Sequence, residues 1–322
     1  MNWRNKIFKE HSASEFEDLS FDVFRYQLEH CEVYSNYAGA IGKSNPGILA
    51  DIPFLPISFF KSRRIISNEF TDVQCAFKSS GTEGVRSTHE LVDIEIYKAS
   101  LEWMYRNYVG NMENQIIIAL LPNYLEQGDS SLVFMVDYLI KMTKDKNSRF
   151  ILDDEQEIKN AICEAQMSNK TLVLFGVAYS LLDLCGKDID LSKSIVIETG
   201  GMKGKRKELS KEALHSKLKK ELNITCLYSE YGMTELLSQA YCKGDFQFET
   251  PPWMKIFIRD VFDPFTLIKQ NKRGGINVID LANIYSCSFI ATDDIGVCTE
   301  YGFEIRGRID QSDLRGCNLL VD

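Results

Sequence analysis

Apolar and polar positions follow two rhythms along this chain. Over the first forty residues Phe16, Leu19, Phe24 and Leu28 recur at helical spacing, so an amphipathic helix is expected, with Ser12 or Ser14 as its cap. Asn45-Pro46-Gly47 marks a turn, and Pro53 and Pro56 punctuate the apolar stretch 52–60. From residue 115 apolar runs and amphipathic stretches take turns. Buried strands are expected at 115–121, 171–177, 194–199 and 224–228. Helices are expected at 131–142, 155–167 and 208–222, the last with Leu214, Leu218 and Leu222 on one stripe. Such alternation implies an α/β fold with a largely parallel sheet. Beyond Gly244 the rhythm changes. Short runs at 255–258, 276–280, 288–292 and 302–306, separated by Gly and Asp, predict antiparallel β-structure.

With 322 residues the chain has room for about two domains of ordinary size. The absence of any repeat or linker favours one multi-lobed unit. A net charge of −9 argues against nucleic acid as a partner. No apolar run is long enough to span a membrane. The charged N-terminus lacks a signal-peptide core, so a cytoplasmic setting is expected. The nine cysteines form no CxxC pair and the four histidines no HxxxH, which removes support for structural zinc. Eight of the thiols are expected to pack as small hydrophobes.

Three segments carry candidate chemistry. In Ser79-Ser80-Gly81-Thr82-Glu83-Gly84, glycines let successive N–H groups converge on an anion and hydroxyls add donors, although the same composition also makes an ordinary loop. It is not a Walker loop: Gly42-Lys43-Ser44 has Tyr37 where that pattern needs glycine. The segment Tyr231-Gly232-Met233-Thr234-Glu235 follows an expected strand, where α/β proteins place ligands. The third, Thr292-Asp293-Asp294, reads as a turn, from which a hairpin leads to Gly307-Arg308 and brings a carboxylate towards a guanidinium.

Taken in order, these segments resemble the motifs of the adenylate-forming superfamily of acyl- and aryl-CoA ligases, peptide-synthetase adenylation domains and luciferases. Ser79 to Gly84 is similar to its phosphate loop SSGTTG, with Glu83 replacing a threonine; 231–235 matches YGxTE; 292–294 is similar to TGD, with Asp293 in place of glycine. The stretches FLPISFFK (54–61), LLPNYLEQGDSSL (120–132), ETGGMKG (198–204) and RGCNLLVD (315–322) narrow the resemblance to the acyl-protein synthetases of bacterial bioluminescence, the LuxE type.

That resemblance implies the large-domain fold of the superfamily over 1–308, a tail over 309–322, and an ATP-dependent ligase that activates a fatty or other carboxylic acid. It implies Ser79, Ser80, Gly81, Thr82 and Gly84 at the β- and γ-phosphates, and Gly200 and Gly201 along the adenine with Tyr231 and Gly232. Thr234 and Glu235 would meet the α-phosphate and Mg²⁺, Asp294 the ribose, with Arg308 nearby. Cys317, in its Arg-Gly-Cys setting, would accept the acyl group and pass it to a partner acyl reductase of the LuxC type. Tyr124, Leu132, Phe134 and Met135 are candidates for the acyl pocket, or alternatively for plain core. The chain ends fourteen residues beyond Arg308, whereas superfamily ligases continue into a small domain of roughly 100 residues that supplies a lysine and a CoA tunnel. A protein-bound thioester is therefore expected in place of a CoA product. A truncated CoA ligase similar to phenylacetate-CoA ligases, or a non-catalytic nucleotide-binding scaffold, are the alternatives.

Overall fold

The computed structural model describes residues 2–80, 85–121, 128–152, 154–200 and 209–309. The chain folds as two compact units. One comprises residues 1–97, 235–238 and 249–322, the other residues 98–234 and 239–248.

The first unit opens with helices. Ser12 caps Ala13–His30 through a reciprocal box with Glu15, so of the two serines it is the cap. Gln27 on this helix is fully buried and donates to Asn283 O, Ile284 O and Ser288 Oγ at 3.0–3.1 Å, which fastens the helix to the segment 283–288. The first strand, β1 (Leu55–Pro56), is only two residues long. Next come β2 (Cys75–Lys78) and β3 (Thr88–Leu91), an antiparallel hairpin.

The second unit holds β4 (Gln115–Leu120), β5 (Arg149–Phe150), β6 (Thr171–Val177), β7 (Ile195–Thr199), β8 (Cys226–Tyr231) and β9 (Ala240–Cys242). They form one sheet in the order β5-β4-β6-β7-β8-β9, parallel throughout except for β9. Every residue of β4 is buried, as a strand covered on both faces requires. One face packs Ile116, Ile118, Leu172, Leu174 and Val196 against Ile158 and Ala161 of the helix Glu155–Met167 and Leu214 and Leu218 of Lys211–Glu221. Each such aliphatic burial contributes roughly 1.5–3 kcal/mol against exposure.

The chain then returns to the first unit as β10 (Met254–Arg259), β11 (Gly274–Asp280), β12 (Phe289–Cys298) and β13 (Phe303–Arg308). These pair antiparallel in sequence order. β12 is ten residues long, and one edge serves two partners: β1 pairs parallel with Ile290 and Ala291, and β13 takes Asp294 to Cys298. Pro56 fits because β1 is an edge strand and its missing N–H breaks no ladder.

Three expectations need correction. The acids Asp293 and Asp294 lie inside β12 and form no turn. β8 runs on to Tyr231 because Glu230 and Tyr231 pair with Tyr241 and Ala240, so the Tyr-Gly motif begins within the strand. Of the eight thiols expected in the core, Cys163 and Cys226 are exposed. Among the described residues no helix is long and apolar enough to cross a membrane.

Candidate functional site

The expected phosphate loop is the connection of the β2–β3 hairpin. Phe77 anchors the hairpin: it is 2% exposed and meets Tyr97 edge-on at 5.6 Å. The mouth of the loop is closed by Ser79 and Ser87. Ser79 N donates to Ser87 O at 3.0 Å, and Ser87 N donates to Ser79 Oγ at the same distance. Arg86 adds donors, its Nε to Ser79 O and its Nη2 to Lys78 O. Ser80 is exposed at the rim. Gly81, Thr82, Glu83 and Gly84 lie outside the described residues, and Arg86 is directed at loop carbonyls.

Glu235 belongs to the same unit and meets this hairpin. It is 5% exposed, and burial raises its carboxyl above the ordinary range. A hydrogen bond with the Ser87 hydroxyl and the charges of Lys61 and Arg308 work against that rise. Ser87 therefore joins the serine of the loop to the acid of the second motif. The segment carrying Glu235 is held from behind by Asp280, which is fully buried. Its carboxylate accepts from Leu237 N and Ser238 N at 2.9 Å and from Ser238 Oγ at 2.7 Å. Burial raises the Asp280 carboxyl to about 6, against those hydrogen bonds. Ser238 Oγ in turn accepts from Trp253 Nε1 at 2.8 Å, and Asn283 Nδ2 donates to Glu235 O.

The expected carboxylate–guanidinium meeting is present. Asp294 and Arg308 are register partners across β12 and β13, with Nε 3.4 Å from Oδ1. Arg308 is 76% exposed along its side chain, so the pair itself adds little stability and the guanidinium is accessible. Behind them stands Arg259, only 7% exposed. It donates to Ile276 O and Asn277 Oδ1 at 2.8 Å and to Thr292 O at 2.6 Å. Burial lowers its pKa, and Asp293 and Asp294 oppose that. Arg259 thus fixes the strand from which both acids project.

In the second unit the remaining site residues stand at the carboxyl ends of β7 and β8. Thr199 and Glu230 are register partners, and the Thr199 hydroxyl donates to the Glu230 carboxyl. Burial lifts Glu230 to about 7, with Glu198 pushing the same way and Thr199 and Lys211 opposing. Gly200 follows with φ +67°, a backbone that glycine adopts freely, and no atom lies within 4 Å of where a Cβ would stand. Tyr231 is 7% exposed, edge-on to Phe248 at 6.1 Å. Gly232 is exposed and Thr234 half-buried. Beneath lies Glu198. Burial alone would raise its carboxyl, but His215, Lys211 and Ser229 outweigh it and hold it below the ordinary range. Gly201 is not among the described residues.

Among the acyl-pocket candidates, Met135 is a core residue at 2% exposure, Leu132 and Phe134 are half-buried, and Tyr124 is undescribed. Cys317, Arg315 and the rest of the tail from residue 310 also lie outside the described residues. Burial raises the thiols of Cys31, Cys75, Cys242, Cys287 and Cys298, the last to about 11, so none of these five is primed as a thiolate. Among the described residues no three His, Cys, Asp or Glu side chains cluster as a metal site.

Sequence reasoning missed Ser87, Lys61, Arg259, Asp280 and Glu230. A charged residue inside an apolar strand, as at Arg259 and Asp280, is the one signal that marks two of them.

A family model described as "Acyl-protein synthetase, LuxE" matches residues 6–322. The long-chain-fatty-acid–luciferin-component ligase of Vibrio harveyi is 25% identical, over 92% of this chain and 84% of its own. Among solved structures, ATP-bound MatB from Rhodopseudomonas palustris superposes with a TM-score of 0.56 at 17% identity, covering 74% of this chain and 48% of that one. The O-succinylbenzoate coenzyme A synthetase of Bacillus subtilis, in complex with ATP and magnesium ion, gives 0.51 at 16% identity over 72% and 49%. The chain thus spans about half the length of these solved proteins, and the likeness establishes the α/β fold of adenylate-forming enzymes.

Proposed function

This chain belongs to the acyl-protein synthetase (LuxE) family of ligases, and from that premise we propose that it activates a fatty acid with ATP, carries the acyl group on Cys317 and passes it to a partner acyl reductase. The observation that carries the reading is the convergence of Ser79, Glu235, Asp294 and Arg308, drawn from three separate motifs and joined through Ser87, within one unit.

A carboxylate is a poor electrophile, because its leaving group would be oxide. Its oxygen attacks the α-phosphorus of ATP and pyrophosphate departs, leaving an acyl-adenylate. The thiolate of Cys317 then attacks the acyl carbon, the bond to AMP breaks, and a thioester remains. In this scheme the loop 79–84 holds the β- and γ-phosphates. Gly200, Gly201, Tyr231 and Gly232 line the adenine, Asp294 accepts from the ribose hydroxyls, and Thr234 lies at the α-phosphate. The accessible guanidinium of Arg308 faces the developing negative charge. Mg²⁺ usually takes one or two carboxylates together with substrate phosphates, and Glu235 fits as a single carboxylate of that kind. Held by Glu235, such an ion would supply neutralisation of phosphate charge. The sequence-based expectation of a cytoplasmic enzyme stays with this proposal.

The test is covalent labelling with radioactive fatty acid, ATP and Mg²⁺, with and without Cys317→Ser. Label on the wild type that hydroxylamine releases and the variant lacks is the expected result. Equal labelling of both excludes Cys317. AMP formed only when CoA is added indicates a CoA ligase, and no AMP with any acid indicates a scaffold.

A further inference from the structure

The first unit contains a cavity that this chemistry leaves unused. It is a half-open cleft of about 330 Å³ lined by Trp3, Tyr26, His30, Glu69, Phe70 and Tyr285. That volume lies at the lower end for small-molecule pockets, about 300–1,000 Å³. Four of its six walls are aromatic. Tyr26 is central, with ring centroids 5.4 Å from Trp3, 4.5 Å from His30 and 6.2 Å from Tyr285. Phe70 meets Tyr285 edge-on at 4.7 Å. The rings are held by backbone bonds from Ser67 N to Tyr285 O and from Asn68 N to His30 O, so the wall is built before any ligand arrives.

The charge of the lining is negative. Glu69 contributes a carboxylate that accepts the Tyr26 hydroxyl and lies 3.7 Å from His30 Nε2. Burial raises the Tyr285 hydroxyl, Asp93 and Glu69 push the same way, and Arg4, the ion-pair partner of Asp93 at 3.3 Å, opposes them. Lys6 Nζ, ion-paired with Asp22 at 3.6 Å, already stands 5.7 Å from the centre of the Trp3 ring, so Tyr26, Phe70 and Tyr285 are the rings left to a ligand.

We propose that this aromatic cavity, with Glu69 at its edge, is a binding site for an alkylammonium group. The faces of electron-rich rings attract a cation whose shell of water is weak, and a carboxylate beside them adds direct charge complementarity. A neutral group of the same shape gains only the apolar contact. The site takes no part in adenylate formation, so it stands whether or not the acyl-transfer reading does.

The test uses the full chain and two probes of equal shape, choline and its neutral isostere 3,3-dimethylbutan-1-ol. Saturation transfer to the methyl protons and tryptophan fluorescence report binding. Choline should bind at least about tenfold more tightly than the alcohol, in line with a desolvated cation–π contact. Glu69→Gln, on an exposed side chain, should weaken choline severalfold without altering the alcohol, and Tyr26→Leu should remove the preference. Blocked lysine amide, run alongside, separates sources: tighter binding than choline indicates a protein side chain, weaker binding a free metabolite. Equal affinity for choline and the alcohol, no binding of either cation at millimolar concentration, or indifference to Glu69→Gln overturns the proposal.

Discussion

Asp280 shows how a single buried charge positions chemistry it never touches. Four hydrogen-bond donors, from Leu237, Ser238 twice and Ala282, converge on its two oxygens. Asp280→Asn turns one oxygen into a donor facing donors, so about 3 kcal/mol of stability should be lost in urea unfolding followed through Trp253, whose indole is tied to Ser238. A loss below about 0.5 kcal/mol would mean that the carboxylate is dispensable. Glu230 makes a pH-dependent prediction. Its carboxyl titrates near 7 in the folded chain against an ordinary 4.5. Between those values the unfolded chain releases the proton and the folded chain keeps it, so stability from this group is complete below 4.5, falls as pH rises to 7, and is flat above. The full loss is on the order of 3 kcal/mol. Glu230→Gln cannot titrate, so its stability relative to wild type should rise from pH 5 to pH 8; a pH-independent difference would refute a raised carboxyl. Asp280 carried only the signal of an acid within an apolar strand, and Glu230 carried none, because burial depends on which strands later cover it.

At the scale of elements, the strand Thr171–Val177 and the helix Glu155–Met167 match the pattern residue for residue, since a continuous apolar run and an amphipathic face are local properties. The helix Ile94–Tyr108 and the hairpin β2–β3 do not follow from the pattern. The helix opens Ile-Glu-Ile-Tyr, which alternates like a strand, and the hairpin buries little beyond Phe77, His89 and Leu91, so neither sends a clear periodic signal. The β12–β13 hairpin was legible, but its closeness was not. A Cβ on Gly296 would stand 2.5 Å from Glu304 O, a backbone atom on the partner strand. Gly296→Ala should therefore push the strands apart and cost roughly 1–3 kcal/mol. Unchanged thermal unfolding of Gly296→Ala would show that the hairpin tolerates the space.

Across the whole molecule, the parallel middle and antiparallel end were readable, and so were the motifs that led to the family. The joining of residues 1–97 with 249–322 in one unit was not, because it rests on pairings such as Leu55 with Ile290 that no local rhythm encodes. More than 150 residues likewise separate Ser79 from Glu235 and Asp294, and motif order alone suggested that they work together. Their shared chemistry is tested most directly by fatty-acid-dependent exchange of labelled pyrophosphate into ATP. Exchange requires adenylate formation and no thiol. It should proceed in the wild type and in Cys317→Ser and fall at least about a hundredfold in Glu235→Gln, as loss of charge stabilisation at a transferring phosphoryl group does. Exchange that survives Glu235→Gln, or that is absent with every fatty acid, would contradict the assignment of these residues to acyl activation.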